Sequence, residues 1–326
     1  MRAIRLHEFG PASNLILEEL PDPLPGEGQV RIAVEAAGVH VLDTTIRSGA
    51  SGGPFPLPEL PTIPGREVAG VIDAVGPGGD PALVGRRVVA HLGMASAGYA
   101  SVAVANEAAL QFLPDHLDSA VAVAMIGTGR TTAGVLQAAA IQPSDVVLVP
   151  AAAGGMGSLL VQEAKHVGAF TVGLAGGSEK IAAVLGMGAD AAVDYRVPGW
   201  PDAVRAALGE REITLVIDGV GGEVGRAAFE LLGNGGRFVI FGYTSGTPTA
   251  ITSAELLTTG QTVTGALGPA LLRRPGGIRE LETTALARAA DGIWKPLVTR
   301  FPLAEAAAAH QALTDRQTQG KVVLIP

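Results

Sequence analysis

Between Asp145 and Gln162 the chain reads Asp-Val-Val-Leu-Val-Pro-Ala-Ala-Ala-Gly-Gly-Met-Gly-Ser-Leu-Leu-Val-Gln, a buried-strand pattern that turns through small residues into a helical one. Backbone can approach an anion closely only where side chains are missing, and the unpaired N–H groups at a helix N-terminus favour negative charge. Ala153, Gly154, Gly155, Met156 and Gly157 therefore form a candidate phosphate cradle, with the three glycines supplying the access. The spacing is that of the dinucleotide fingerprint G-x-G-x-x-G, with Ala152 at the first glycine. In isolation such a loop also fits a plain tight turn. The strand before it and the helix after it favour a pyrophosphate.

About 20 residues beyond such a loop, a site for NAD places an acidic side chain on the ribose 2′-hydroxyl. Here the next strand, Thr171 to Ala175, runs into Gly176-Gly177-Ser178-Glu179-Lys180. Gly176, Gly177 and Ser178 leave room for a 2′-phosphate and Lys180 can offset its charge, so NADPH is the expected cofactor. Glu179 is discordant, and Lys180 also reads as a solvated residue of a helix's first turn.

These loops need a sheet to hold them. From Ser119 onward, short strands apolar throughout (Val146 to Val149, Thr171 to Leu174, Ala191 to Val193, Leu215 to Ile217, Arg237 to Phe241) alternate with Ala-rich helical segments. That rhythm predicts an α/β domain, a Rossmann-type doubly wound parallel sheet. From Met1 to about Leu113, alternating runs such as Gln29 to Glu35 and Val68 to Val75 lie between Pro- and Gly-rich turns, which predicts a β-rich antiparallel domain. Gly49 to Pro64, with five prolines, is a loop. The end of the chain reads strand, helix, strand. Its last strand must pair somewhere, and the β-rich domain offers the place, which makes the nucleotide domain an insertion.

A length of 326 residues suits two domains, since single cores stop growing near roughly 250–300 residues. A net charge of −8 with no run of Lys or Arg offers nucleic acid and anionic membranes no footprint. No apolar stretch has the length of a membrane helix, and the alternating start lacks the core of a signal peptide. The absence of cysteine excludes disulfides and thiolate zinc sites and fits a reducing, cytoplasmic location.

With its flanks the loop resembles the signature of the zinc-free quinone oxidoreductases, the ζ-crystallin-like branch of the medium-chain dehydrogenase/reductase superfamily: Ser144-Asp145-x-x-Leu148, Ala152-Ala153-Gly154-Gly155-x-Gly157, Gln162-x-x-Lys165. Further matches include Ala36-Ala37-Gly38-Val39, Ile63-Pro64-Gly65-x-Glu67, Asp194-Tyr195-Arg196 and Gly320-Lys321-Val322-Val323-Leu324. The resemblance implies a GroES-like catalytic domain over residues 1–120 and 262–326, a Rossmann NADPH domain over 121–261, a cofactor cleft between them, and a homodimer. It places Tyr195 with Lys180 at the 2′-phosphate. Thr131, Gly242, Tyr243 and Thr244 fall at the nicotinamide half, with His40, Val220, Phe241 and Leu267 also among the cofactor contacts and Gly320 closing the far side. Three positions depart from the family pattern: His40 for Asn, Thr45 for Tyr, and Arg130 for an apolar residue.

Zinc relatives of this fold carry Gly-His-Glu, where this chain has Gly65-Arg66-Glu67, and a guanidinium cannot ligate a cation. The expectation is therefore no metal. Without one, a carbonyl accepting hydride needs hydrogen-bond donors and a proton source, for which His40 and Tyr243 are the candidates. Glu67 and Asp43 read as structural partners, and the remaining histidines as structural or surface residues. The expected reaction is NADPH-dependent reduction of a quinone or another conjugated carbonyl, a small molecule. The alternatives are an enoyl reductase acting on a thioester or biosynthetic intermediate, and a non-catalytic NADPH-binding protein. The substrate pocket is expected from Ile46 to Leu60, Tyr99, and Leu267 to Ile278; the dimer edge is expected at Phe238 to Gly246 and beyond.

Overall fold

The computed structural model describes residues 1–50, 56–267 and 276–326 of the chain. It divides into two compact units, Met1–Thr128 with Val298–Pro326, and Gly129–Leu297.

Among the described residues, six strands of the second unit form one parallel sheet. Its order is Ala191–Asp194, Phe170–Ala175, Val146–Val149, Ile213–Asp218, Leu232–Ile240, Thr262–Gly265. Val147 and Val149 join Leu215, Ile217 and Val239 in one apolar cluster. Val146 and Leu148 join Val172, Leu174, Val216 and Phe238 in another. Successive side chains of a strand point to opposite faces, and helices cover both faces here, which is why the strand sequences are apolar without alternation. Leu160, Val161 and Ala164 of the helix Gly155–Val167 close one face; Val204, Leu208 and Phe229, from the helices Trp200–Leu208 and Gly222–Glu230, close the other.

The second unit runs further than the expected boundary at 261. The strand Thr262–Gly265 pairs in parallel with Leu232–Ile240, and the helix Gly277–Ala290 packs in the same unit, so the chain leaves it only at Val298. The expected dimer edge is corrected by the same pairing. Phe238 has a strand on both sides, opposite Val216 and Val263, and the sheet's edge on that side is Thr262–Gly265.

The first unit is the expected β-rich domain. Its long central strand, Gln29–Val39, pairs antiparallel with Glu67–Val75, with Val102–Asn106 at its start and with Lys321–Ile325 at its end. The chain's last strand thus closes on its third. Ile32, Val68, Ile72, Val88, Leu303 and Leu324 lie in the core. Of the Pro-rich loop and the region after Leu267, residues 51–55 and 268–275 lie outside the described residues. No helix among the described residues is long and apolar enough to cross a membrane.

Candidate active site and nucleotide cradle

At the end of Val146–Val149 the backbone turns through Ala151, whose φ of 52° is left-handed, and Gly154 caps the helix Gly155–Val167. The Ala152 N–H is held by the Leu174 carbonyl at 2.8 Å, which locks the turn to the neighbouring strand. Helix geometry leaves the N–H groups of Gly155, Met156 and Gly157 without intrahelical acceptors and aims them out of the turn. A Cβ on Gly157 would stand 2.3 Å from the Ala151 carbonyl oxygen, so this close packing of helix on turn admits only glycine.

The neighbouring strand, Phe170–Ala175, ends in Gly176 and Gly177, and Ser178 and Lys180 begin the next helix. Gly177 has a φ of 96° and donates its N–H to Asp194 Oδ2 at 2.8 Å. Over this glycine shelf lies Arg196: a Cβ on Gly176 would meet its Cδ at 3.0 Å, and one on Gly177 its Nη2 at 2.5 Å. Asp194 orients that guanidinium through Nε (3.2 Å) and Nη2 (3.2 Å), and the hydrogen bonds from Arg196 hold the Asp194 carboxyl below its usual range. Arg196 is a second cation beside the expected 2′-phosphate position. In the sequence Arg196 belongs to the Asp194-Tyr195-Arg196 match, in which nothing marks it as a phosphate contact. Tyr195 follows the strand Ala191–Asp194 and packs half-buried against the apolar cluster of Val172 and Leu174.

Val220, Phe241 to Thr244 and Leu267 all follow the carboxyl ends of parallel strands, where such sheets bind ligands. Buried Asp218 accepts the N–H groups of Val220 (2.8 Å) and Gly221 (3.2 Å) and the Thr249 hydroxyl (2.8 Å), and Thr244 donates its N–H to the Gly219 carbonyl (3.0 Å). Two adjacent loops are thereby tied into one rim. Tyr243 stands on it, more than half exposed, and Thr131 lies on the helix Arg130–Ala139 of the same unit.

His40 and Gly320 belong to the first unit. His40 precedes the helix Val41–Arg47, and the Asp43 carboxylate accepts its N–H at 2.9 Å. Its Nε2 lies 2.5 Å from Glu67 Oε1 and 3.0 Å from Lys321 Nζ, and Lys321 Nζ lies 2.8 Å from Glu67 Oε2. Glu67 is wholly buried and Lys321 nearly so. Burial alone would raise the Glu67 carboxyl, but the charges of His40 and Lys321 outweigh it and hold the group far below the usual carboxylate range. The fit is enforced by glycines: a Cβ on Gly127 would fall against Glu67 Oε1, and one on Gly38 would stand 2.2 Å from Glu67 Oε2.

Behind this trio, Tyr99 donates its hydroxyl proton to Asp43 Oδ2 at 3.0 Å and meets His310 Nε2 at 3.0 Å. With that proton committed to a carboxylate, His310 must be the donor in the second contact. Tyr99 is fully buried and belongs to the core, which corrects its expected place in the substrate pocket. A cavity of about 100 Å³ beside it is lined by Leu6, Ile46, Arg47, Leu57, Arg66 and Met94, among others. The other two departures have structural partners. Arg130 reaches Glu282 Oε1 at 2.6 Å, joining two helices of the nucleotide unit, and Thr45 bonds back to the Val41 carbonyl at 3.2 Å.

Residues 26–153 match the alcohol dehydrogenase GroES-like domain and residues 155–286 the zinc-binding dehydrogenase family. The chain is 32% identical to a 2-haloacrylate reductase of a Burkholderia species over 98% of both chains. It is also 32% identical to a quinone oxidoreductase of Salmonella typhimurium over 99% of both. The solved structure of Escherichia coli quinone oxidoreductase complexed with NADPH superposes with a TM-score of 0.86 at 29% identity, over the whole of each chain. The zinc implied by one matching family does not suit the donors present. Beside Glu67 and His40 stands the ammonium of Lys321, which repels a cation, and Arg66 holds the position at which zinc relatives carry His; neither side chain can ligate. Similarity along the full length, together with a donor set unsuited to zinc, decides the affiliation: the chain belongs to the medium-chain dehydrogenase/reductase superfamily, in its zinc-free quinone oxidoreductase branch.

Proposed function

We propose that the protein is an NADPH-dependent reductase of quinones or other conjugated carbonyls that works without metal. The observation that carries the reading is the glycine shelf at Gly176 and Gly177 under Arg196, next to the open loop Gly154 to Gly157. A pyrophosphate suits the loop and a 2′-phosphate suits the shelf, where Arg196 and Lys180 supply charge and Asp194 is bonded to Gly177 and Arg196; the exposed Glu179 of the same helix turn is the discordant charge. Ala153, Met156 and Ser178 complete the cradle and Tyr195 flanks it. Thr131, Val220, Phe241, Gly242, Tyr243, Thr244 and Leu267 are assigned to the rest of the cofactor, with His40 and Gly320 from the first unit.

Bound NADPH supplies a hydride, and the chain must orient the acceptor and provide the second hydrogen as a proton. His40 is the assigned proton source, with Tyr243 as a hydrogen-bonding contact. We assign the protein to the cytoplasm and to a homodimer joined at the Thr262–Gly265 edge, since an exposed strand edge invites pairing. Sedimentation at about twice the chain's 32.9 kDa is the expected result, and a monomer rejects the assignment.

The test is NADPH oxidation in the presence of 1,4-benzoquinone, 9,10-phenanthrenequinone, a simple enone, crotonyl-CoA and 2-chloroacrylate, with NADH and a chelator as controls. Turnover that prefers NADPH and is untouched by the chelator is expected. Silence with every acceptor despite NADPH binding would favour the non-catalytic alternative, and turnover of crotonyl-CoA alone the enoyl reductase.

A further inference from the structure

We propose that His40, Glu67 and Lys321 act as one proton-holding unit, in which Lys321 and Glu67 are positioning residues that let His40 gain and lose its Nε2 proton with a partner waiting in either state. The proposal deepens the reductase reading and, for its activity arm, rests on it.

The argument starts from what each atom can do. An imidazole nitrogen is a donor when it carries a proton and an acceptor when it does not. His40 Nε2 faces a carboxylate oxygen, Glu67 Oε1, at 2.5 Å and an ammonium, Lys321 Nζ, at 3.0 Å. A protonated Nε2 is matched by the carboxylate and a bare one by the ammonium. Most buried ring nitrogens have only one kind of partner, so a change of protonation leaves a buried polar group unmatched, at a cost. Here Nε2 keeps one matched partner in either state, while its contact to the other partner is like-natured. Glu67 is held mainly by the charges of His40 and Lys321, with a hydrogen bond from His40 adding to them.

The three residues come from distant parts of the chain: Glu67 opens the strand Glu67–Val75, Lys321 opens Lys321–Ile325, and both strands pair with Gln29–Val39. Gly38 and Gly127 clear the space around Glu67. The other titratable groups facing the unit are Asp43, which holds the His40 N–H, and His91, opposite Glu67 in the strand pairing. Both stay in place in the variants below.

In the reaction, the acceptor receives the hydride and its two electrons from the cofactor and becomes an anion; a proton from His40 neutralises it. The ring, which is partly exposed, regains its proton from solvent while the Lys321 ammonium faces the bare nitrogen, so no further oxidant or reductant enters.

The test has two arms. In the first, the His40 ring is followed by 15N NMR as pH is varied, in the protein as it stands, in Lys321→Met and in Glu67→Gln. Loss of the ammonium should raise the midpoint of the ring's titration by about one pH unit or more, and loss of the carboxylate should lower it by a similar amount. Should Lys321→Met fail to fold with Glu67 left unpaired, the double variant Glu67→Gln/Lys321→Met removes both charges, and its midpoint should rise from that of Glu67→Gln back toward the parent's. Midpoints that do not move in the single variants, or in the double variant relative to Glu67→Gln, overturn the proposal. In the second arm, kcat with an accepted quinone or enone should fall at least tenfold in Lys321→Met with NADPH affinity unchanged, and its pH profile should move with the NMR midpoint. An unmoved kcat and pH profile overturn the catalytic role. If the parent reduces no acceptor, the reductase reading fails, while the NMR arm still decides whether the unit exists.

Discussion

A buried carboxylate needs hydrogen-bond donors or positive charge around it, and Glu67 shows how tightly a supply of charge can be fitted. Gly127→Ala would drive a methyl into Glu67 Oε1, displacing it from His40 and Lys321. A loss of about 1–3 kcal/mol in chemical denaturation is expected, together with a fall in turnover. His310 gives a pH dependence. Burial pushes its ring down to about 4 from 6.5, so the unfolded chain takes up this proton more readily across that interval. The group's contribution is complete above pH 6.5 and is lost as pH falls through about 4, a swing of about 3 kcal/mol. His310→Gln should flatten that part of the stability profile; an unchanged slope would assign the acid sensitivity elsewhere. At this scale the sequence was half legible. His40 stood out because it departs from a family pattern, whereas Lys321 and Arg196 passed as ordinary motif residues. A lysine reads as a solvated side chain until folding shows what it is packed against.

The elements were legible wherever one physical cause dominated their composition. Strands buried on both faces have to be apolar throughout, so Val146–Val149 and Ile213–Asp218 announced the parallel sheet, and the glycines after the first of them announced the turn. The region after residue 261 was not legible, because its strand is short and exposed and its helix is held by tertiary contacts. Trp294 donates to Glu163 Oε2 at 2.8 Å, Arg288 donates to Oε1 of the same carboxylate at 2.9 Å, and Gln162 exchanges hydrogen bonds with Lys295. Gln162 and Glu163 lie on the nucleotide-loop helix, so the far end of that helix anchors a segment whose sequence alone points to the other unit. Trp294→Ala should cost about 3–5 kcal/mol in unfolding of the nucleotide unit. Gly157→Val should instead abolish NADPH binding, because its side chain would collide with the Ala151 carbonyl that shapes the loop; retained binding would remove the loop from the cofactor site.

For the molecule as a whole, cofactor preference and reaction type follow from the charge and chemistry gathered at the site and not from the net charge of −8. Arg196→Gln and Lys180→Ala should each weaken NADPH by about tenfold or more and leave NADH nearly unchanged, since a charge-assisted contact to phosphate contributes about 1.5–3 kcal/mol. Equal losses for both nucleotides would place the 2′-phosphate elsewhere. The central claim is hydride transfer from NADPH to a conjugated carbonyl without metal. Its most direct test is reduction of an enone with NADPH carrying deuterium at both C4 positions, in ordinary water with chelator present, followed by mass and NMR analysis of the product. One deuterium at the β-carbon and one solvent hydrogen at the α-carbon are expected. A reduced product without deuterium, or no product until a metal is added, would contradict the account.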